Sequence, residues 1–202
     1  MARSRRAAAR RSTRPLEGDG MLLLIAALLI TLALFVGSIL AHELGHAAAV
    51  AWLAGRMAVR KISAGSVIVF RRGVFEIGLL PTWGHVEFDP ERLGPIDRRL
   101  VAAAGPVASA VTALGFLALG RSGWFDPGWT RAILTMGKAN IALAWVNLLP
   151  IPPLDGWTII ETWLPAWGVR WSTGTLDAVR RYGAAFVFVA SVWLVLLIGP
   201  YR

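Results

Sequence analysis

The amino-acid sequence predicts an α-helical polytopic membrane protein with about four transmembrane helices and a small β region between the first two. Three observations carry that prediction. Of the 202 residues, 56% are hydrophobic and only 16% charged. Long runs hold no charge at all, the first reaching from Gly20 to Ala41, and about 20 such residues suffice to cross a hydrocarbon core of roughly 30 Å. Residues 57–88 break the pattern with short β-branched and aromatic clusters punctuated by Gly and Pro, which read as strands. The length leaves room for one compact domain and no large second one.

Residues 1–20 form a basic tail, with Arg3, Arg5, Arg6, Arg10, Arg11 and Arg14 crowded into its first part. Ahead of an apolar run, such a tail is expected to be disordered and drawn to anionic lipid rather than to nucleic acid. It is expected to be retained, because the run that follows is too long for the core of a signal peptide. The first helix is expected over residues 21–54, ended by Gly55. At about 1.5 Å per residue it measures close to 50 Å, so one end must protrude or the helix must tilt or break.

Within residues 57–88 the runs Val59–Ile62, Ser66–Phe70, Val74–Ile77 and His85–Phe88 predict four short strands joined by turns. An open sheet cannot cross lipid, so this region belongs at the interface or in a cavity against the helices. Its edge is either a place for an extended peptide to pair or a structural cap. The second helix, residues 100–120, is rich in small residues that permit close packing, and Pro106 implies a kink or a late start. The third, residues 130–149, carries Lys138, Asn140 and Asn147, which should face protein rather than lipid. A Pro-rich loop occupies 150–156. Residues 157–202 are expected to form an interfacial segment holding Trp157, Trp163, Trp167 and Trp171, then a last membrane helix over 183–199.

Set into the first apolar run is His42-Glu43-Leu44-Gly45-His46. On a helix, residues four apart face the same way, so both imidazoles can bind one zinc ion, with Glu43 beside them as a general base for metal-bound water. Two imidazoles and a carboxylate are costly in lipid unless they bind something; the bland alternatives are a chance match or a polar packing patch. A catalytic zinc site needs a third protein ligand and an open position. With only three His and no Cys in the chain, the candidates are His85 and the carboxylates. Asp155, in Asn147-Leu-Leu-Pro-Ile-Pro-Pro-Leu-Asp155-Gly156, stands after three prolines that break the helix, and reads equally as a ligand or as a helix cap. His85, in the strand region, reads better as a sheet or substrate contact, since a fourth ligand would close the site.

The two motifs in this order, with Ala104-Gly105-Pro106 between them, resemble the site-2 protease family of intramembrane zinc metalloproteases. The resemblance covers roughly Leu24 to Gly156, and residues 21–156 would be the metalloprotease core, without a PDZ-like or regulatory module. It implies His42, His46 and Asp155 as ligands of one Zn2+ and Glu43 as catalytic base. Asn147 matches a family asparagine expected to hydrogen-bond the substrate or the developing oxyanion. Asn140 matches another, and a packing amide is the preferred reading there. Gly105-Pro106 is expected to be structural. The family often has Asn where Ser109 stands and a second Gly where Trp157 stands, which puts one local hydrogen bond and the shape of the loop in question.

The function implied is hydrolysis of peptide bonds in membrane-spanning protein substrates; the alternative is a silent relative that binds membrane proteins. The partners are a transmembrane substrate and membrane lipid, with no nucleic acid; homo-oligomerisation is compatible with the chain. The setting is a bacterial or archaeal cell membrane. Basic residues between the first two helices (Arg56, Arg60, Lys61, Arg71, Arg72, Arg92, Arg98 and Arg99) place the sheet and the active site toward the cytoplasm, whereas the tail then lies outside, against the same rule.

Overall fold

The computed structural model describes residues 17–198; the Arg-rich tail up to residue 16 and the last four residues lie outside them. Helix α1 (Glu17–Ala54) leads into a hairpin of β1 (Val59–Arg72) and β2 (Phe75–Phe88), followed by α2 (Pro95–Gly120), α3 (Pro127–Asn147), α4 (Asp155–Trp163) and α5 (Thr173–Ile198). Among the described residues, α1 and α2 are long and apolar enough to cross a membrane. The outer half of α1 leaves Leu22, Leu23 and Leu24 widely exposed, as a helix bathed in lipid would.

The sheet differs from the expected four strands in an instructive way. It has two long antiparallel strands, yet each bends back on the other. Ile62, Ser63 and Ala64 pair with Val86, His85 and Gly84 on one flank and with Phe75, Glu76 and Ile77 on the other. Four segments therefore lie side by side, in the order 84–88, 59–64, 75–77, 70–72. Gly65, Pro81 and Gly84, part of the Gly and Pro punctuation expected to mark turns, lie inside continuous strands; the tight turn is at Gly73, with φ of 58°. Segment 84–88 is an outer edge. Lys61 and Glu87 form an ion pair of 2.5 Å across the 59–64/84–88 ladder. The hydrogen bond from Lys61 holds the Glu87 carboxyl below its ordinary value, and the same bond raises the Lys61 ammonium.

Helix starts depart from expectation wherever a cap lies further upstream than the apolar run. Helix α2 begins at Pro95 rather than 100, because Pro suits a first helical position and Asp97 Oδ2 accepts from Gly94 N at 3.0 Å. It runs through Pro106 without interruption. Helix α3 begins at Pro127, with the Asp126 carboxylate accepting from Gly128 N and Trp129 N. It stops at Asn147, short of the expected 149, since a residue before proline avoids the helical region. The first half of the stretch read as interfacial is helix α4, and Trp157 is buried, stacked on Trp171 at 6.0 Å. Helix α5 starts about ten residues earlier than the expected 183, at Thr173, where Ser172 Oγ accepts from Thr175 N.

The core lies at the C-terminal end of α1. Val50, Ala58, Leu93 and Val101 form a buried cluster, with Leu53 and Phe88 packed against it. Sheet, α1 and the first turns of α2 are joined there, next to the His-Glu-x-x-His turn.

Candidate metal centre

Three elements build the centre. Helix α1 presents His42 and His46 one turn apart, both buried. Asp155 opens α4 and reaches them from the far side of the Pro-rich loop. His42 Nε2 lies 3.1 Å from Asp155 Oδ2, His46 Nε2 lies 3.3 Å from Asp155 Oδ1, and the two Nε2 atoms are 3.2 Å apart. Zinc with bonds of about 2.0 Å at tetrahedral angles separates its ligands by about 3.3 Å. The trio thus fits that ion with almost no rearrangement, and it is the group among the described residues that can hold a metal.

The other nitrogen of each ring shows how the imidazoles are oriented. His46 Nδ1 donates to the Val101 carbonyl at 2.7 Å, and that carbonyl can only accept. A neutral His46 therefore carries its proton on Nδ1 and keeps the Nε2 lone pair for a ligand role. His42 Nδ1 lies 2.9 Å from Ser109 Oγ, which is fully buried. Val101, Gly105 and Ser109 recur every four residues, one face of α2. Gly105 lets α2 pack against the imidazoles: a Cβ there would collide with His46 Nε2 and lie 2.7 Å from His42 Nε2. Only a residue without a side chain lets α2 approach the ligand nitrogens so closely.

Glu43 is buried beside this face, within electrostatic reach of His46 and Asp155. Gly84, on the outer edge of the sheet, packs directly on it. A Cβ at Gly84 would lie 2.6 Å from Glu43 Oε1 and 2.8 Å from Ile39 Cγ2. The edge of the sheet and the carboxylate are in contact.

The remaining expected residues fall elsewhere. Asn147 ends α3, half-buried, and its Nδ2 donates to the Leu143 carbonyl of its own helix at 2.9 Å. Asn140 is fully buried and donates to Ser38 Oγ at 2.9 Å, bridging α3 to α1 one turn before His42. His85 belongs to the sheet edge, near Glu87 and the Trp83 ring, apart from the ligand trio. Lys138 is exposed. Sequence reasoning left one hydrogen bond at Ser109 in question and missed the roles of Val101 and Gly84. For Ser109 the four-residue spacing from Gly105 was a usable signal; a backbone carbonyl such as that of Val101 leaves none.

A family model described as peptidase family M50 matches residues 30–125, which include the His pair, Gly84, Gly105 and Ser109. A candidate zinc metalloprotease of Synechocystis sp. is 32% identical over 171 residues, 85% of this chain and 39% of that protein. A candidate zinc metalloprotease of Bacillus subtilis is 33% identical over 125 residues, 52% of each chain. The chain thus spans about half or less of the length of these relatives. Among solved structures, the site-2 protease from Methanocaldococcus jannaschii matches with a TM-score of 0.59, covering 88% of this chain and 77% of that one. At 19% identity that likeness speaks for the fold. Taken with the His-Glu-x-x-His turn and its Asp partner, these matches make the chain similar to peptidase family M50, the site-2 protease family, over the stretch that carries the His pair.

Proposed function

We propose that this chain is a zinc-dependent intramembrane endopeptidase that hydrolyses peptide bonds of membrane-spanning proteins. The observation that carries the reading is the convergence of His42, His46 and Asp155 on one point inside an otherwise apolar helix bundle, with Glu43 beside it. Zinc held by these three supplies Lewis-acid activation of water and polarisation of a carbonyl oxygen.

The chain's own residues account for the rest. Glu43 takes a proton from the attacking water and returns it to the amine that leaves, so hydroxyl and proton add across the broken C–N bond. Ser109 and the Val101 carbonyl hold the imidazoles in the orientation a ligand needs. A helical substrate hides its peptide bonds, and the outer edge 84–88 offers unpaired backbone groups to an unwound strand next to Glu43. Asn147, at the end of α3 just before the Asp155 loop, has a second amide N–H to offer the substrate or the developing oxyanion. In this reading α1, α2, α3 and α5 cross the membrane of a bacterial or archaeal cell, with the hairpin and the site toward the cytoplasm.

The test uses the purified full chain in nanodiscs. It should retain about one zinc per chain, and Glu43→Gln should retain it too while losing cleavage of a transmembrane reporter by at least 100-fold, the scale of a general base. Metal-free protein, or unchanged cleavage by Glu43→Gln, sinks the enzymatic reading.

A further inference from the structure

Asp155 is the one member of the ligand trio that α1 does not carry. It opens α4, a rod of nine residues, so its place depends on how that rod is held. The near end is wedged: Gly156 touches the end of α3 so closely that a Cβ would strike the Leu148 carbonyl. The far end is held by a residue that the mechanism does not use. Arg99 of α2 donates from Nε to Thr162 Oγ1 at 3.1 Å and from Nη2 to the Thr162 carbonyl at 2.9 Å. Its guanidinium also lies 3.9 Å from the centre of the Trp163 ring.

We propose that Arg99 is a positioning residue: by clamping the C-terminal end of α4 onto α2, it sets where the Asp155 carboxylate stands relative to His42 and His46. The proposal rests on the metal-centre reading above. Three features of the contact suit the role. The Thr162 carbonyl belongs to the last turn of α4, where carbonyls lack helical partners and the dipole favours a cation. The guanidinium is a rigid planar fork, so two hydrogen bonds and a stacked ring fix direction as well as distance. Arg99 also lies two residues before Val101, whose carbonyl holds His46. One short stretch of α2 therefore references all three ligands, the histidines through Val101 and Ser109 and the aspartate through α4.

The lever is long enough to matter. From Asp155 to Trp163 the rod is about 12 Å, so a tilt of roughly 5° about one end moves the other by about 1 Å. Metal–ligand distances tolerate only about 0.2 Å. A loosened clamp should therefore appear first in metal affinity.

The experiment measures Co2+ affinity, by chelator competition, and the visible absorption of the Co2+-loaded full chain in nanodiscs. Arg99→Met, which keeps the apolar stem and removes the fork, is compared in the native and Asp155→Ala backgrounds. In the native background it should weaken Co2+ binding about tenfold or more and alter the absorption, the scale of losing an outer partner of a ligand. In the Asp155→Ala background it should add less than about twofold, because the ligand it positions is gone. Equal weakening in both backgrounds, or none in either, overturns the proposal. Should Arg99→Met not fold, Thr162→Val and Arg99→Lys carry the same comparison, each with a smaller loss confined to the native background. A native chain that binds no Co2+ overturns the metal centre and the clamp with it, whereas a native chain that binds Co2+ beside an indifferent Arg99→Met overturns the clamp alone.

Discussion

Replacing Gly105 by Ala adds one methyl group at the point where α2 meets both ligand nitrogens. The new Cβ would lie 2.7 Å from His42 Nε2 and still closer to His46 Nε2. Atoms not bonded to one another settle at about 3.5 Å or more, so His42 would have to retreat by roughly 0.8 Å. That is several times the tolerance of about 0.2 Å for a metal–ligand distance. Overpacking of this kind costs about 1–3 kcal/mol, and each 1.4 kcal/mol is a factor of about ten in affinity. Gly105→Ala should therefore bind zinc about 10- to 100-fold more weakly, as measured by chelator competition on protein whose helix content is unchanged. Gly115 provides the control on the same helix: a Cβ there meets nothing within 4 Å. Gly115→Ala should leave zinc affinity untouched and raise stability by about 0.5–1 kcal/mol through the lost freedom of the unfolded chain. A folded Gly105→Ala protein with native affinity, to within about twofold, would refute the close approach and with it the described geometry of the centre.

Ser109→Ala removes the partner of His42 Nδ1 and should cost about tenfold in metal affinity; Ser109→Asn, able to accept the same bond, should recover part of it, and a silent Ser109→Ala would deny the orienting role. Ser38→Ala takes away one partner of the buried Asn140 amide and should lower stability by about 1 kcal/mol, whereas the double change with Asn140→Leu removes the stranded polar group as well and should recover most of that loss. Thermal melts of both proteins and of Asn140→Leu alone decide the point, and strict additivity would contradict it. At the sheet, the Glu87 carboxyl is held below its ordinary value by the Lys61 hydrogen bond first. A depressed carboxyl contributes stability above its unfolded pKa and loses it as pH falls through the folded value. The protection of the amides of residues 59–64, taken relative to the intrinsic exchange rate at each pH, should thus fall at acid pH in the native protein, and Glu87→Gln should abolish that loss.

Much of this protein was legible in one dimension because lipid restricts the choices. A long uncharged run must be a helix, and a His pair one turn apart inside it must share a face; neither statement needs a partner element. Its residue chemistry alone left Asp155 equally a cap or a ligand; the motif order and the family resemblance named it as a ligand, and α4 brings it to 3.1 Å from His42 Nε2. The sheet shows the same limit. Four β-branched runs were plain, but that residues 62–64 pair on both flanks depends on bends at Gly65 and beyond, which composition does not specify.

By itself the sequence determined the helices of α1 and α2, the facing imidazoles, the neighbouring carboxylate and the strand character of residues 57–88, all of which follow from periodicity and from the cost of polar groups in lipid. The tertiary structure decided that Asp155 stands within reach of both imidazoles and that α2 offers Ser109, Gly105 and the Val101 carbonyl to the histidines. It also decided that the outer sheet edge rests on Glu43 at Gly84. The physical reason is that these are contacts between elements distant along the chain, set by how closely backbones can approach and by carbonyl groups that every residue possesses alike.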